Sequence, residues 1–478
     1  MNAMGVAQAL AWNTGVQIAG KVVSIAIGAT IVGLMTRHLG QVGFGMYSTA
    51  NAYFQVFAIL LDLGITVMLV QLLGEHADDQ EYENRAVSAT FTFRAILACS
   101  VLTIAAVIGM ALPYPHELKV ALFAIWGSFF MSALSQIVVG VHQRHFTMHL
   151  VAIGEVVGRL TLLAGVLLAI ARGWGLVPIV TIVSVGSAIH FLVIALTARR
   201  FAALQWNWDP VFWKELLRRS WPVGLSIVFN LVYFKADTLI LSIMRPSFAE
   251  VGIYGAAYRV LEILITIPFM YTGVLLPLLA QALASKDLVR FRSLYRNSLV
   301  AMAILAAPLL AGVAVLGRQM MTLVAGKDFS TSGDVLKILM IAAAIIFLGT
   351  VTSHAIIALN IQRAMLPIYI IVALATLAGY VILIPRYGMW AAAWLTVASE
   401  ACVALGSALL SLRRSGTRLA AAPYVKTALA ALLMALTISP LKDAWLPIPI
   451  LTGAAIYGAL IVMFDVVPRE ILLNLFTF

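Results

Sequence analysis

The sequence predicts an all-α integral membrane protein with about fourteen transmembrane helices. Two observations predict this class: 62% of the 478 residues are hydrophobic, and only 11% are charged. Soluble domains carry about 25% charged residues and about half apolar ones, so a soluble fold could not bury this much apolar surface. Lipid is the alternative solvent, and a helix of about 20 apolar residues crosses it with its backbone hydrogen bonds satisfied.

Apolar runs of spanning length follow one another along the whole chain. They lie at 10–36, 44–74, 86–112, 119–141, 149–171, 176–198, 220–243, 250–284, 294–316, 335–359, 365–384, 388–412, 424–440 and 446–464. Prolines interrupt the last two runs, so twelve spans is the conservative count. The first run is too long for a cleaved signal peptide and carries Lys21, and it is predicted to be the first membrane helix.

The runs predict a domain organisation and an orientation. Residues 1–198 form an N-terminal lobe of six helices, 199–219 a cytoplasmic linker, 220–412 a C-terminal lobe of six helices, and 413–478 two further helices and a tail. With the N-terminus inside, the inner loops hold about 17 Lys and Arg residues and the outer loops about 9. Cytoplasmic loops carry this excess, so both termini are predicted to be cytoplasmic. The net charge of +11 is therefore a topology signal, and nucleic-acid binding is not predicted.

An internal repeat indicates that the two lobes are homologous. The segment 45–50 (GMYSTA) recurs at 252–257 (GIYGAA), 161–166 (TLLAGV) resembles 376–381 (TLAGYV), and Gly175-Leu176 matches Gly388-Met389. Six helices separate the repeats, so both lobes have the same orientation and are related by an axis along the membrane normal. Two such lobes around a central cavity are the architecture of an alternating-access transporter. The alternative is chance similarity between apolar segments.

Several motifs in order resemble a known family. Arg37-His38-Leu39-Gly40 is followed by Gly43-Phe44-Gly45-Met46-Tyr47 and by Asp62-Leu63-Gly64, and the seventh run carries Tyr233-Phe234-Lys235-Ala236-Asp237 before Val251-Gly252-Ile253-Tyr254. Over residues 5–412 the chain resembles the polysaccharide-transporter (O-antigen type) flippases of the multidrug/oligosaccharidyl-lipid/polysaccharide exporter superfamily. Each motif is weak alone, and their order and spacing carry the resemblance.

The resemblance implies a function. A member of this family moves undecaprenyl-diphosphate-linked oligosaccharide from the inner to the outer leaflet of the bacterial cytoplasmic membrane, through a cationic cavity. Its partners would be this substrate, membrane lipids and polysaccharide polymerase or assembly proteins. No cofactor is expected, and a proton or sodium gradient would supply the coupling. The related lipid II flippases also place a cation in the first helix, near the position of Lys21.

Charged residues inside the spans are candidate site residues, because a charge at membrane depth costs at least roughly 2.5–3.5 kcal/mol and normally faces the bundle interior. The basic candidates for substrate binding are Lys21, Arg94, Arg159, Lys235 and Arg259. The acidic candidates for ion coupling are Asp62, Glu155, Asp237, Glu262 and Glu400.

Spacing sorts these candidates. Glu155 and Arg159 are i,i+4 and Arg259 and Glu262 are i,i+3, so each pair can neutralise itself within one helix. Lys21 and Arg94 have no acidic residue one turn away and need an anion from another helix or from the substrate. Asp62 is the alternative partner of Arg94. Lys235 and Asp237 point to different helix faces, and Lys235 could instead extend to the outer interface.

Two other functions remain open. A multidrug or organic-cation exporter of the same superfamily would need an acidic cavity, whereas here both signs occur equally. A membrane-embedded polysaccharide polymerase or ligase would need a large outer loop, and the longest loop is predicted to be cytoplasmic. The sequence contains no Walker phosphate-binding motif, no Gly-x-Ser-x-Gly motif and no metal-spaced His/Cys cluster. His190 and His354 stand alone in apolar runs and are read as packing residues.

Overall fold

The computed structural model describes residues 3–62, 64–76, 79–245 and 247–466, and the side chains of 3–18 and 222–235 lie outside this description. Within these ranges the chain forms fourteen α-helices and no β-strand. The helices are α1 Ala3–Asp62, α2 Ile65–Glu75, α3 Gln80–Ala111, α4 His116–Arg144, α5 Met148–Ala171, α6 Leu176–Ala198, α7 Pro210–Met244, α8 Phe248–Ala284, α9 Leu288–Ala325, α10 Ser332–Ala358, α11 Gln362–Tyr387, α12 Met389–Ser415, α13 Ala421–Ile438 and α14 Pro447–Met463.

The protein is a multi-pass membrane protein. Eleven helices in the described ranges are long and apolar enough to cross a bilayer, and α14 is a shorter apolar helix. Unsatisfied backbone groups are costly in lipid, which favours helices throughout. The prediction of an all-α membrane fold is therefore confirmed, and the number of helices agrees with the fourteen apolar runs.

The first two apolar runs do not form two separate helices. They are joined in α1, which changes direction at Gly40 (φ 64°, ψ −175°), a conformation that glycine adopts readily. The second run is itself interrupted, because α1 ends at Asp62 and α2 begins at Ile65 after Gly64 in the left-handed region (φ 75°). This break places the Asp62 carboxylate at an irregular point of the span.

The chain divides into two compact units, Met1–Gly252 and Ile253–Phe478. In the first unit α4 packs mainly against α6, α6 against α5, and α1 against α5 and α7. In the second unit α10 packs mainly against α12 and α9, and α11 against α12, while α13 packs on α9 and α14. The pairs α3–α4, α4–α6 and α5–α6 thus recur as α9–α10, α10–α12 and α11–α12, which supports the internal repeat. The predicted lobe boundaries stay a prediction.

The segment that follows α6 runs along α3 as an extended strap, residues 202–209. Ala203 N donates to Asn84 Oδ1 (2.8 Å), Gln205 N to Ser88 Oγ (3.3 Å) and Asn207 N to Thr92 Oγ1 (2.8 Å). Those three side chains are four residues apart on α3 and share one face. The strap ends where Asp209 caps α7, so the last ten residues of the predicted linker, 210–219, are helical.

The first repeated motif marks a close helix contact. A Cβ added at Gly45 would collide with the carbonyl group of Phe248, and one added at Gly252 would collide with that of Gln41. The two glycines are the equivalent first residues of the repeated segments 45–50 and 252–257. Glycine is needed at both positions because any side chain would separate the backbones.

Candidate functional site

The strongest candidate site in the first unit is centred on Glu155 of α5. Its Oε1 atom accepts hydrogen bonds from Lys21 Nζ (3.2 Å) and Ser24 Oγ (2.7 Å) on α1. The same oxygen accepts from Arg159 Nε (3.3 Å) and Nη2 (3.2 Å) one turn along α5. One carboxylate oxygen therefore joins two cations and a hydroxyl from two helices. We call Lys21, Ser24, Glu155 and Arg159 the Glu155 cluster.

Helix packing positions this cluster. Lys21, Ser24 and Gly28 follow one another at i, i+3 and i+7, so they share the face of α1 that meets α5. A Cβ at Gly28 would lie 2.5 Å from Arg159 Nη1, so the guanidinium group occupies the space that a side chain would take. A Cβ at Gly20 would lie 2.8 Å from the Cβ of Ala152. Both glycines let α1 approach α5 closely on either side of Lys21.

The cluster carries an excess of positive charge and is accessible. Two cations face one carboxylate, which leaves a net charge of about +1 when all three are ionised. The exposed fractions are 37% for Lys21, 36% for Arg159 and 25% for Glu155. Lys and Arg each have several donor hydrogens, so donors remain for a second anion. The arrangement can bind an anionic group without first losing its internal ion pairs.

His190 of α6 lies beside the cluster, and the sequence did not identify it as a site residue. It packs against the small residues of α5, where a Cβ at Gly158 would lie 2.8 Å from the His190 Cβ. Glu155, Arg159 and Lys21 all lie close enough to act on it electrostatically. Its Nε2 is buried and has no hydrogen-bond partner among the described residues. Gly154 and Gly158 are four residues apart on α5, and this spacing predicts that another helix packs closely against α5 there. The spacing does not identify that helix, so it could not reveal His190.

Arg94 and Asp62 form a second ion pair in this unit, between Arg94 Nη2 and Asp62 Oδ1 at 3.0 Å. Arg94 is only 1% exposed, and its Nε also donates to the Ala133 carbonyl (3.2 Å). Asp62 is 29% exposed and accepts from Thr66 Oγ1 as well (3.1 Å). Arg94 is therefore paired with Asp62, the alternative partner that the sequence indicates. Arg94 is thus buried and paired within the unit, and its role in substrate binding stays a prediction.

The remaining candidates lie on α7, α8 and α12. Arg259 Nη1 donates to Glu262 Oε2 at 2.7 Å in α8 of the second unit, as their spacing predicts. Asp237 is buried and its Oδ1 accepts from Thr238 Oγ1 (3.2 Å). Glu400 is half-buried in α12 and lies within electrostatic range of Tyr369. The side chain of Lys235 lies outside the described residues, so its role stays a prediction.

No metal site emerges from the described part of the chain, where His, Cys, Asp and Glu side chains nowhere meet in groups of three suited to hold an ion.

A family model supplies the first comparison with known proteins. The model described as polysaccharide biosynthesis protein matches residues 10–283, which is more than half of the chain and includes the Glu155 cluster. A search of curated protein sequences finds no match.

Solved structures supply the second comparison. The lipid II flippase MurJ in an inward closed conformation superposes with a TM-score of 0.78 at 15% identity, covering 95% of this chain and 99% of that one. An inward-facing multidrug resistance MATE transporter of the MOP superfamily gives 0.66 at 13% identity, covering 84% and 98%. A MOP superfamily transporter from Pyrococcus furiosus, described as having a binding pocket of reversed polarity, gives 0.61 at 13% identity, covering 84% and 95%. These likenesses establish a shared fold.

Proposed function

We propose, from the premise that this chain belongs to the polysaccharide biosynthesis protein family, that it is a flippase for lipid-linked oligosaccharides. Its substrate would be an undecaprenyl-diphosphate-linked glycan, moved from the inner to the outer leaflet by alternating access. The family description and the MurJ-like fold support a transporter of lipid-linked or related substrates.

The excess positive charge of the Glu155 cluster is the observation that carries the proposal. A diphosphate offers anionic oxygens to Lys and Arg, which bind phosphate through short, charge-assisted hydrogen bonds. Arg159 can present a planar fork, and Lys21 a compact point charge, to the same group. Glu155 would hold both cations in position while no substrate is bound. The cost of keeping two cations at membrane depth is then offset in every state of the cycle.

A cationic cluster also separates this proposal from the exporter alternative. The fold is shared with multidrug transporters, so the fold alone does not choose between an anionic and a cationic substrate. An organic cation would be repelled by the surplus charge at Lys21 and Arg159. A polymerase or ligase would have to form a glycosidic bond, and the cluster offers ion binding rather than a nucleophile or a general acid matched to that step.

The proposal extends to location and energy supply. We place the protein in the bacterial inner membrane with both termini and the 199–219 segment in the cytoplasm. A proton or sodium gradient would act through the acidic candidates, which are Glu155, Asp62, Asp237, Glu262 and Glu400. A Trp208→Cys variant tests the orientation, because Trp208 is exposed. An impermeant thiol reagent should label it only in inverted vesicles, and labelling in intact cells would contradict the orientation.

Transport in a defined system tests the function itself. The purified chain is reconstituted into liposomes with a fluorescent undecaprenyl-diphosphate disaccharide in both leaflets. The fraction of this lipid that is accessible to an external glycan-modifying enzyme is measured over time. We expect the inner-leaflet fraction to become accessible only in protein-containing liposomes. A labelled organic cation in the same liposomes tests the exporter alternative. Cation transport without movement of the lipid would overturn the flippase assignment, and chain elongation of the glycan would indicate an enzyme.

A further inference from the structure

The second unit contains an apolar cavity that the proposed transport does not use. It has a volume of about 330 Å³, within the range of about 300–1,000 Å³ typical of small-molecule sites. Its walls are almost wholly apolar and come from Leu299 of α9, Leu348 of α10, Ala404 and Ala408 of α12, and Tyr424 of α13. We call it the α9–α12 pocket.

The equivalent place in the first unit is filled by the protein itself. By the internal repeat, α3, α4 and α6 correspond to α9, α10 and α12. The apolar cluster shared by α2, α3, α4 and α6 packs against Phe201, Leu204 and Trp213 from the part of the chain that follows α6. Trp213 Nε1 also donates to the Ala89 carbonyl of α3 (2.9 Å). After α12 the chain supplies only Leu419 and Tyr424 to the pocket, so an apolar group from outside the chain can occupy the space.

One polar atom of a residue that lines the pocket lacks a partner. The hydroxyl group of Tyr424 is buried and makes no hydrogen bond within the described residues. Leaving a buried donor unsatisfied is costly, so a bound ligand whose acceptor reaches this hydroxyl would relieve it. By contrast, the Thr352 hydroxyl in the pocket wall is already bonded to Ser407. Arg296 lies close enough to Tyr424 to act on it electrostatically.

Positive charge surrounds the same end of the pocket. Here α9 begins, α10 and α12 end, and α13 begins. Arg292 and Arg296 are one turn apart on α9, and Arg292 Nε donates to the Ser415 carbonyl at the end of α12 (2.7 Å). Three more arginines follow in sequence around this junction, Arg413, Arg414 and Arg418. The predicted topology puts this end at the cytoplasmic face, where anionic lipids attract basic residues.

We propose that the α9–α12 pocket binds an anionic glycerophospholipid of the bilayer. One acyl chain fills the apolar cavity. The phosphate accepts a hydrogen bond from Tyr424 and is attracted by the positive charge of Arg296 and the neighbouring arginines. Basic pockets between transmembrane helices are a known way to bind anionic head groups. A polyprenyl chain is several times longer than this cavity can hold, which favours a phospholipid over the transported lipid. The choice between these two lipids rests on the proposed function, whereas binding of an anionic phospholipid does not.

Lipid binding to the purified full-length chain tests the inference. Native mass spectrometry and thermal unfolding are measured with dioleoyl-phosphatidylglycerol and with dioleoyl-phosphatidylcholine at matched concentrations. We expect phosphatidylglycerol to remain bound and to raise the unfolding midpoint more than phosphatidylcholine does. Equal effects of the two lipids would overturn the proposal.

Variants locate the site. Ala408→Phe should fill the cavity and weaken phosphatidylglycerol binding at least tenfold, whereas Ala428→Phe, at an exposed position of α13, should leave it unchanged. Arg296→Gln should weaken binding severalfold, and Arg290→Gln, on a different face of α9, should not. Unchanged binding in Ala408→Phe would exclude the pocket. Should that variant fail to fold, the Arg296→Gln/Tyr424→Phe double variant decides the same question.

The unpartnered hydroxyl gives a readout of its own. Tyr424→Phe removes an unsatisfied group, so it should raise the unfolding midpoint in lipid-free detergent and yet lower phosphatidylglycerol affinity severalfold. A purely structural role for Tyr424 would move both in the same direction. Displacement of phosphatidylglycerol by undecaprenyl phosphate at a lower concentration would reassign the pocket to the transported lipid and overturn the inference.

Discussion

The Glu155 cluster and the Arg94–Asp62 pair lie in the same unit, and each joins charged residues from different helices. They differ in balance and in exposure. The cluster has two half-exposed cations for one carboxylate, whereas the pair has one cation for one carboxylate and its arginine is 1% exposed. A balanced, buried pair has no charge left for a ligand and mainly fixes helix packing. A surplus of accessible charge can bind a ligand. Charge balance and exposure therefore distinguish a binding role from a structural role.

Substitution of Lys21 should have the largest effect on transport, and it tests the binding role assigned to the Glu155 cluster. In Lys21→Ala the Glu155 carboxylate keeps Arg159 and Ser24, so the protein should reach normal membrane levels. Transport should fall roughly 10- to 100-fold, since one charge-assisted hydrogen bond contributes roughly 1.5–3 kcal/mol. Lys21→Arg should retain much of the activity, and Lys21→Glu should be worst because the surplus charge is reversed. Transport is measured per molecule of protein.

A matched control is Val22→Ala, at an exposed neighbouring position of α1, which should leave transport unchanged. Full transport by a well-expressed Lys21→Ala protein would remove Lys21 from the site. Low levels of Lys21→Ala with normal activity per molecule would make the Lys21–Glu155 contact structural, like the Arg94–Asp62 pair.

Removal of Arg94 should instead act on stability. Arg94→Leu strands the Asp62 carboxylate, and breaking a buried ion pair costs about 3–5 kcal/mol. We expect low membrane levels and a lower unfolding midpoint, with activity per surviving molecule little changed. The double variant Arg94→Leu/Asp62→Leu should recover much of the loss, because no unpaired charge remains. Normal levels of Arg94→Leu combined with lost transport would restore Arg94 as a substrate-binding residue.

Two glycines of α1 sharpen the comparison within the cluster itself. At Gly28 an added methyl group meets the flexible end of Arg159, so Gly28→Ala should displace the guanidinium and lower transport severalfold with little change in stability. At Gly20 it meets the Cβ of Ala152, which moves only with its helix. Gly20→Ala should therefore lower stability by about 1–3 kcal/mol, as overpacking does. Gly74→Ala, where an added Cβ would meet no group from elsewhere in the chain, is the control.

The sequence predicted the helices better than the site because helix formation in lipid is a local matter. Apolar length alone identified fourteen runs, although it could not reveal that α1 joins two of them or that Asp62 ends it. Contacts one turn apart, Glu155–Arg159 and Arg259–Glu262, followed from helical spacing. The contact of Lys21 with Glu155 spans 134 residues and depends on how α1 packs against α5. Nothing local specifies that packing, and the position of His190 was missed for the same reason.

An exposed ion pair outside the spans should show the smallest effect and a pH dependence. Asp209 Oδ1 accepts from Phe212 N (3.0 Å) as the N-cap of α7, and its Oδ2 contacts Arg85 Nη2 (2.6 Å). The backbone N–H of Phe212, followed by Arg85, lowers the pKa of Asp209 below its usual value. This contribution to stability is therefore present above the ordinary Asp pKa and is lost as the pH falls through the lowered one.

Asp209 variants separate the cap from the ion pair. Asp209→Ala should lose about 1 kcal/mol of stability at neutral pH, because it removes the cap. Asp209→Asn keeps a capping oxygen and should lose only the small contribution of an exposed pair, about 0–1 kcal/mol. Its unfolding midpoint should also fall less than that of the wild type between pH 5 and about pH 3. An equal loss in both variants at pH 7 would mean that the charge on Asp209, rather than its capping oxygen, stabilises the start of α7.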